Sequence, residues 1–224
     1  MRETVITADG SPTIRDTATG EHFHSLHGAV SESMKVFVEN GFLYMAPRKE
    51  TISILEMGFG TGLNALLTLV EANRLEKRIH YSAVEKYPLS SKESDAYYNG
   101  FAQADMLDFE ISALHAAPWG KSNKLSPDFI LEKFHADIRE VKLSGCYDLV
   151  YFDAFSPQVQ PELWTTEVFS MIAGLMAEDG VLVTYSSKGI VKQALRSCGF
   201  IVERLPGPVG KRHVLRASIN RKVV

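Results

Sequence analysis

The feature that most constrains this chain is an apolar run that leads directly into three closely spaced glycines. The run at residues 52–55 is followed by Glu56, then by Gly58, Gly60 and Gly62, and then by a helical pattern of apolar residues. Glycine is required where the backbone takes positive φ values or where a ligand approaches the main chain closely. The stretch therefore predicts a strand, a tight turn and a helix.

The spacing of these glycines excludes two common phosphate-binding turns. A dinucleotide-binding turn has the pattern G-x-G-x-x-G, and its last glycine would fall where this chain has Leu63. A P-loop requires a lysine directly after its last glycine, and no lysine follows Gly62. A turn in which an acid precedes three alternating glycines remains. Taken alone, it fits a structural corner as well as a cofactor site.

Composition sets broad limits on the kind of protein. The chain has 224 residues, 45% of them hydrophobic and 23% charged, which is typical of one soluble globular domain. Cys146 and Cys198 lie far apart, and His22, His24 and His27 have no Cys or carboxylate partner at metal-ligand spacing. We therefore expect neither a disulfide framework nor a metal site.

No segment has the character of a signal peptide or a membrane span. The first residues lack an apolar core, and no apolar run approaches the roughly 18 to 20 residues that cross a bilayer. We expect a cytoplasmic protein that has no membrane partner.

Charge is distributed unevenly along the chain. Residues 188–224 contain nine Lys or Arg and one acid, Glu203, whereas the whole chain has a net charge of −3. This segment fits either a solvated helix with an ordinary basic end or a surface that contacts phosphates.

The pattern of apolar residues predicts strands that alternate with helices. A hairpin is predicted around the turn at residues 8–12, and a helix from Ala29 is predicted to end at a C-cap formed by Asn40-Gly41. Further strands are predicted at residues 52–55, 79–84, 132–136, 147–152 and 181–185, and helices at 63–76, 88–98, 161–177 and 188–198. Residues 201–205 and 213–218 are predicted to pair antiparallel, residues 106–114 to form a helix, and residues 118–127 a polar loop. The order predicts a mainly parallel sheet covered by helices on both faces.

Acidic residues follow three of the predicted strands. Ligands of open α/β sheets bind at the carboxyl ends of the strands, where Glu85, Asp137 and Asp153 fall. Glu85 is a candidate for the ribose hydroxyls of a nucleotide, since an acid about 20 residues after such a turn takes this role. A solvent-exposed Glu85 and an Asp153 that only caps the next turn are the structural alternatives.

Several segments together resemble one family, the methyltransferase domain of the enzyme that completes 5-methylaminomethyl-2-thiouridine at the tRNA wobble position. The matching segments, which span nearly the whole chain, are His24-Ser25-Leu26-His27-Gly28-Ala29 with Glu32-Ser33, Leu55-Glu56-Met57-Gly58-Phe59-Gly60-Thr61-Gly62-Leu63-Asn64, Glu85-Lys86, Phe152-Asp153-Ala154-Phe155-Ser156-Pro157 with Pro161-Glu162-Leu163-Trp164, and Pro206-Gly207-Pro208 with Gly210-Lys211-Arg212. The combination is more specific than the glycine turn, which other class I methyltransferases share.

The resemblance implies a Rossmann-like class I methyltransferase with S-adenosylmethionine as cofactor and tRNA as substrate. Residues 51–224 would form the methyltransferase core, and residues 1–50 an N-terminal hairpin and helix extension packed on it. Bifunctional family members also carry a flavin-dependent oxidase domain, and this sequence has no flavin-binding turn. We therefore expect the stand-alone form, which depends on upstream modification enzymes or a separate oxidase for its substrate.

The resemblance also assigns roles to individual residues. Asp153 is the expected catalytic residue, because it resembles the first residue of the Asp-Pro-Pro-Tyr motif of amino-methyltransferases, although Ala154 and Phe155 replace the prolines. The expected cofactor-binding residues are Glu56, Gly58, Gly60, Thr61, Gly62, Asn64, Glu85, Lys86, Asp137 and Ile138. The expected substrate-binding residues are Ser25, His27, Glu32, Ser33, Phe155, Pro157, Tyr185, Lys188, Lys211 and Arg212. Residues 101–130 receive no role.

Two other functions use the same fold. One is a polyamine-type aminopropyltransferase or another small-molecule N-methyltransferase, which we rank lower because the acids near the site are spread singly along the sequence and the C-terminal segment is basic. The other is a non-catalytic binding module, which would be expected to lack the glycine turn or the acid at position 153.

Overall fold

The computed structural model describes residues 2–103 and 108–219, and an eight-stranded sheet forms its centre. The strands are β1 (Arg2–Ile6), β2 (Pro12–Asp16), β3 (Thr51–Met57), β4 (Arg78–Glu85), β5 (Ser122–Ser126), β6 (Phe129–His135), β7 (Tyr147–Phe152), β8 (Met176–Thr184), β9 (Phe200–Pro206) and β10 (His213–Ile219). Strands β1 and β2 form a separate antiparallel hairpin, and the others are arranged in the order β5-β6-β4-β3-β7-β8-β10-β9. Five neighbouring strands of this sheet, β6, β4, β3, β7 and β8, run parallel, which confirms the predicted mainly parallel sheet.

Helices cover both faces of this sheet, as predicted. They are α1 (Ala29–Ser33), a π-helical stretch at Met34–Phe42, α2 (Leu43–Met45), α3 (Leu63–Arg74), α4 (Ser91–Gln103), α5 (Asp108–Ala116), α6 (Thr166–Leu175) and α7 (Gly189–Ser197). One apolar core lies under the helices from α1 to α5, and a second lies under α6 and α7. Every residue of β7 is buried between these two cores. No helix among the described residues combines the length and the apolar character needed to cross a membrane.

The helix that begins at Ala29 is longer than predicted. The Asn40-Gly41 pair does not end it, because the π-helical stretch contains both residues and the helix continues to Met45. Gly41 is buried against the sheet, and a Cβ atom there would lie 3.1 Å from the side chains of Leu149 and Tyr151. This glycine therefore serves close packing between helix and sheet rather than a C-cap.

The predicted polar loop at residues 118–127 was wrong for its central part, which forms β5. This strand is antiparallel to β6 at the edge of the sheet, with Ser122 opposite Glu132. An edge strand exposes much of its surface to water, so a short polar sequence can occupy this position without the β-branched residues that mark a strand.

Several helix boundaries also differ from the predictions. Helix α4 begins at Ser91 rather than at Pro88. The predicted helix at 161–177 is a short 3₁₀ turn, Pro161–Leu163, followed by α6, because the Thr165 side chain caps α6 and Met176 already belongs to β8. The predicted helix at 106–114 corresponds to α5, and residues 106–107 lie outside the described residues.

The C-terminal pair β9 and β10 is confirmed as antiparallel. Strand β10 is also antiparallel to β8, so β9 runs in the same direction as the parallel strands. The loop between β9 and β10 consequently returns to the carboxyl edge of the sheet. The division of the chain at residue 50 stays a prediction.

The turn of the N-terminal hairpin caps helix α1. The Asp9 carboxylate accepts hydrogen bonds from the backbone N–H and the hydroxyl of Ser31, at 2.9 and 2.7 Å. The Ser11 and Thr7 hydroxyls accept from the N–H groups of Val30 and Ala29, at 3.1 and 3.3 Å. The first N–H groups of a helix have no intrahelical acceptor, so this turn satisfies three of them. Burial alone would raise the pKa of Asp9, but hydrogen bonds from Ser11, Ser31 and Thr7 hold it well below its usual range.

We expect Asp9→Asn to destabilise the protein by about 1 to 3 kcal/mol, because the amide NH₂ group cannot accept the hydrogen bonds that one carboxylate oxygen receives. Chemical denaturation at neutral pH measures this change in the free energy of unfolding. The matched control is Asp95→Asn at an exposed position of α4. Equal stability of the two variants would contradict the capping role.

Candidate active site

A cavity of about 430 Å³ opens at the carboxyl edge of the sheet, beside the ends of β3 and β7. The crossover from β3 leads to β4 on one side of the sheet, and the crossover from β7 leads to β8 on the other. Ligands of open α/β sheets bind at such a reversal of strand order. The predicted site residues that line the cavity are Ser25, His27, Glu32, Gly58, Gly60, Thr61, Asn64, Glu85, Lys86, Asp137, Ile138, Asp153, Phe155, Tyr185 and Lys211.

Six predicted site residues lie outside the cavity lining. Ser33 is fully buried, because it follows Glu32 on the helix and so faces about 100° away from it. Pro157 is buried next to the lining residue Ser156. Glu56 lies behind Asn64, and Gly62 precedes α3. Lys188 and Arg212 are exposed outside the cavity.

The glycine turn brings the ends of β3 and β7 into close contact. All three glycines have positive φ values, 90° at Gly58, 50° at Gly60 and 74° at Gly62. A Cβ atom at Gly58 would lie 2.6 Å from the carbonyl oxygen of Asp153. The Gly58 N–H donates to Val84 and the Asp153 N–H donates to Met57, at 2.9 and 3.0 Å. The turn is therefore fixed by backbone contacts that only glycine permits.

The amide of Asn64 joins the buried carboxyl group of Glu56 to the partly buried carboxyl group of Asp153. Its Nδ2 atom donates to Glu56 Oε1 at 2.9 Å and to Asp153 Oδ2 at 2.8 Å. Burial raises the pKa of Glu56 well above its usual range, and the charge of Asp153 raises it further. Burial also raises the pKa of Asp153, with a further contribution from the charge of Glu32. The site thus holds two carboxyl groups with high proton affinity.

Three acids that are distant in the sequence therefore lie close together. Glu32, Glu56 and Asp153 are near enough that the charge of Asp153 acts on Glu56 and that of Glu32 acts on Asp153. The prediction that the acids near the site stand singly holds along the sequence but was wrong in space. The Lys211 ammonium group compensates part of this charge through an ion pair with Glu32.

Glu85 and Asp137 reach the cavity with different freedom to bind a ligand. Glu85 accepts from the N–H groups of Gly60 and Tyr87, at 3.0 and 2.8 Å, and so holds the glycine turn. Asp137 is fully engaged by Arg139 and by Lys86, whose Nζ lies 3.1 Å away. Hydrogen bonds from Arg139 hold the pKa of Asp137 well below its usual range. A hydrogen-bond donor of a bound ligand would have to compete with Arg139 and Lys86 for the Asp137 carboxylate.

The segment before α1 forms one wall of the cavity, and the sequence did not indicate all of its members. Phe23 packs edge-on against Phe155, with ring centroids 5.1 Å apart. His24 shares a 2.9 Å hydrogen bond with Thr13, and burial lowers its pKa to about 4. The Ser25 N–H donates to Glu32 at 2.7 Å. His24 is therefore a neutral, hydrogen-bonded residue of the cavity wall.

Residues from α5 and β6 support the glycine turn from behind. His115 Nε2–H donates to the Thr61 carbonyl oxygen at 2.8 Å, and burial lowers the pKa of His115 to about 4. Lys133 is fully buried and donates to the carbonyl oxygens of Leu114 and His115, at 2.7 and 3.0 Å. Burial lowers the pKa of Lys133 to about 8. The sequence assigned no role to the region of His115, because these contacts form only in the folded chain.

The residues present fit S-adenosylmethionine, which joins a nucleoside to a cationic amino-acid part. Gly58 and Gly60 line the cavity with backbone that carries no side chain, and Glu85 stands at the end of β4, where the ribose hydroxyls of a nucleotide are expected. Asn64, which lines the cavity, has a buried acceptor atom, Oδ1, without a hydrogen-bond partner among the described residues. Acceptors of this kind are suited to a positively charged ligand group. No cluster of three or more His, Cys, Asp or Glu side chains within residues 2–103 and 108–219 has the geometry of a metal site.

Gly58→Ala should lower the free energy of unfolding by about 2 to 5 kcal/mol and weaken binding of S-adenosylmethionine, since the new Cβ atom combines an unfavourable φ with a backbone clash. Thermal or chemical denaturation and calorimetric titration measure the two effects. Gly174→Ala in α6 is the control, because no neighbouring atom lies within 4 Å of the added Cβ. It should change stability by no more than about 1 kcal/mol, in the stabilising direction. A Gly58→Ala protein with normal cofactor affinity would contradict the assigned site.

His115 should make the folded protein sensitive to acid. Its pKa of about 4 lies below the usual 6.5, so the unfolded chain binds the proton more readily and stability falls as pH decreases between these values. His115→Gln keeps a donor for Thr61 but does not titrate. The loss of unfolding free energy between pH 7 and pH 4 should be smaller in this variant by up to about 3 kcal/mol. His80→Gln, on the exposed side of β4, controls for the loss of a histidine. Identical pH profiles for wild type and His115→Gln would contradict this assignment.

Comparison with known proteins identifies the relatives of this chain. A family model described as S-adenosyl-L-methionine-dependent methyltransferase matches residues 118–220. The bifunctional tRNA 5-methylaminomethyl-2-thiouridine biosynthesis protein MnmC of Pseudoalteromonas atlantica is 31% identical over 96% of this chain, and that of Azoarcus sp. is 31% identical over 93%. The chain spans about a third of the length of these curated relatives, 33% and 34%.

A solved structure has the same overall fold. The crystal structure of MNMC2 from Aquifex aeolicus superposes with a TM-score of 0.78 and 29% sequence identity, covering 98% of this chain and 70% of that chain. The likeness confirms the predicted Rossmann-like class I fold, and the description of the matching family confirms the predicted cofactor. Over most of its own length the chain is therefore related to the MnmC proteins, and its residues 118–220 match the S-adenosyl-L-methionine-dependent methyltransferase family.

Proposed function

We propose that this protein transfers a methyl group from S-adenosylmethionine to the primary amine of 5-aminomethyl-(2-thio)uridine at the wobble position of tRNA. The names of the MnmC relatives support this substrate. The product is 5-methylaminomethyl-(2-thio)uridine.

The observation that carries the proposal is the position of Asp153. Its carboxyl group lines the cavity at the end of β7, directly beside the glycine turn, and Asn64 fixes one of its oxygens. An alkylamine is mostly protonated near neutral pH and must lose a proton before its nitrogen can attack. A carboxylate whose pKa is raised by burial is a better proton acceptor than an ordinary one. Asp153 is therefore placed to accept the proton and to orient the amine.

The chemistry requires no covalent bond to the protein. When bound, S-adenosylmethionine supplies a sulfonium methyl group, and the amine nitrogen forms the new N–C bond as the C–S bond breaks. Asp153 holds the amine, and Asn64 holds Asp153. Positioning of two reactants can lower a barrier by about 7 to 11 kcal/mol relative to free encounter.

Aromatic side chains in the cavity provide a place for the uracil ring. Phe155 and Tyr185 line the cavity, and Phe23 fixes the Phe155 ring by an edge-on contact. The Tyr185 hydroxyl donates to the Ala154 carbonyl oxygen at 2.9 Å, which holds this ring beside Asp153. Bases that are unstacked from RNA are commonly held between aromatic side chains.

The anticodon backbone would contact the basic surface around the cavity mouth. The loop between β9 and β10 carries Lys211 and Arg212, and Lys188 precedes α7 at the same edge of the sheet. Lys188 and Arg212 are exposed and outside the cavity, so they are suited to phosphates rather than to the base. Other enzymes must install the aminomethyl group, and a separate oxidase partner stays a prediction.

A small-molecule amine is the second candidate substrate. The cluster of Glu32, Glu56 and Asp153 favours it, because acids of this kind attract polycations. The exposed cations at the cavity mouth argue in the other direction. Spermidine and putrescine therefore belong in the same assay as tRNA.

The test is transfer of labelled methyl from S-adenosylmethionine to tRNA that carries 5-aminomethyl-uridine. Asp153→Asn should lower the rate by about 100-fold to 10,000-fold while calorimetric titration still detects cofactor binding, because the variant loses the proton acceptor but keeps an oxygen for Asn64. Asp128→Asn, at an exposed position between β5 and β6, is the matched control and should retain the wild-type rate.

The same assay distinguishes the candidate substrates. Label in spermidine or putrescine but not in the modified tRNA would contradict the tRNA proposal. Full activity of Asp153→Asn on the modified tRNA would contradict the role of Asp153.

A further inference from the structure

One lysine of the chain occupies the cavity as an internal cation. The Lys211 ammonium group forms an ion pair with Glu32 and lies 4.0 Å from the centre of the Tyr185 ring. Its aliphatic stem comes from the loop between β9 and β10, whereas Glu32 belongs to α1 and Tyr185 follows β8. Three distant segments thus converge on one ammonium group.

The two groups that contact this ammonium group, Glu32 and the Tyr185 ring, are each held in place by a further hydrogen bond. Glu32 is buried with 6% exposure, and its second oxygen accepts the Ser25 N–H at 2.7 Å. The Tyr185 ring is held by its hydroxyl, which donates to Ala154. A fixed carboxylate beside a fixed aromatic face is the combination that binds an organic ammonium ion. The Lys211 charge also acts on Asp153, where it opposes the charge of Glu32.

The loop that carries Lys211 is closely packed against the opposite wall. A Cβ atom at Gly210 would lie 2.3 Å from the His27 ring, and one at Gly207 would lie 2.2 Å from the Lys211 carbonyl oxygen. The backbone beneath Lys211 is therefore constrained, while its side chain retains 30% exposure. The ammonium group can leave Glu32 without displacement of the loop, because the lysine side chain has four rotatable bonds.

We propose that Glu32 and the Tyr185 ring form the binding site for the substrate's primary ammonium group, and that Lys211 occupies this site until the substrate displaces it. The inference rests on the proposed amine substrate and specifies how its charge is recognised. The aminomethyl group and the lysine side chain end in the same R–CH₂–NH₃⁺ group, so one site accepts either. Only one cation can lie over the Tyr185 ring, so the substrate ammonium group and the Lys211 ammonium group compete for it.

The exchange has two consequences for the reaction. The substrate amine arrives next to Asp153 as an ammonium ion, at the carboxyl group that then accepts its proton. The displaced Lys211 becomes free to contact a phosphate at the cavity mouth. Recognition of the amine and of the RNA backbone would then be coupled through one side chain.

The test measures binding of nucleosides to the purified protein, without methyl transfer. The probe is 5-aminomethyl-uridine, and 5-methyl-uridine is the matched ligand that lacks the amine. Lys211→Met should bind the aminomethyl nucleoside about tenfold more tightly than wild type, a factor in the range of one partly exposed ion pair with a cation–π contact. Binding of 5-methyl-uridine should be unchanged. Lys124→Met, on the exposed side of β5 at the far edge of the sheet, is the matched lysine control and should behave as wild type.

Two further variants identify the site itself. Glu32→Gln keeps an acceptor for the Ser25 N–H but removes the charge, and it should bind both nucleosides equally. Lys211→Gln repeats the loss of charge with a polar side chain and should match Lys211→Met. Circular dichroism and thermal unfolding verify that each variant is folded.

The outcomes separate this inference from the proposed function. Weaker or unchanged binding of the aminomethyl nucleoside by both Lys211 variants would overturn it, because Lys211 would then not compete for the site. Tighter binding by these variants, together with no methyl transfer to the modified tRNA by wild type, would support the ammonium site and contradict the tRNA substrate.

Discussion

The arrangement of the site depends on one side chain, the Asn64 amide, which bridges Glu56 and Asp153. Two neighbouring carboxyl groups repel each other when both are ionised, and the shared NH₂ group is the donor that holds them together. Asn64 lies in the first turn of α3, so its position is fixed by the glycine turn before it. The backbone contact between Gly58 and Asp153 fixes the other partner. The proton affinity of the site thus follows from a turn in which a larger residue would not fit.

Much of the fold could be predicted from the sequence, because the buried strands and the amphipathic helices have clear apolar patterns. Strand β7 was predicted with the bounds it has, since every one of its residues is buried. The errors occurred where a local signal had a tertiary cause. Gly41 looked like a helix end, but it allows the helix to approach the sheet. Strand β5 looked like a loop, because an edge position does not require an apolar sequence.

From residue patterns alone the site was predictable where a motif is local, whereas residues of distant segments that line the cavity, such as Glu32 and Lys211, were named only through the family resemblance. The glycine turn, Glu85 and Asp153 follow from strand ends that can be read in the sequence. The wall formed by Phe23 and His24, and the support of the turn by His115 and Lys133, depend on contacts between separate elements. No spacing along the chain indicates that Glu32 lies near Asp153. Charge clusters of this kind are properties of the folded molecule.

The capping of α1 by the N-terminal hairpin has a consequence for how charge is placed in the cavity. Asp9 and Ser11 hold the first turn of the helix, and Glu32 lies in that same turn. The position of a buried carboxylate therefore depends on a surface turn more than 20 residues earlier in the chain. The hairpin makes no contribution to the sheet, yet it acts as an outer support for the site. Sequence changes in this turn would alter ligand selectivity even where the cavity wall itself is unchanged.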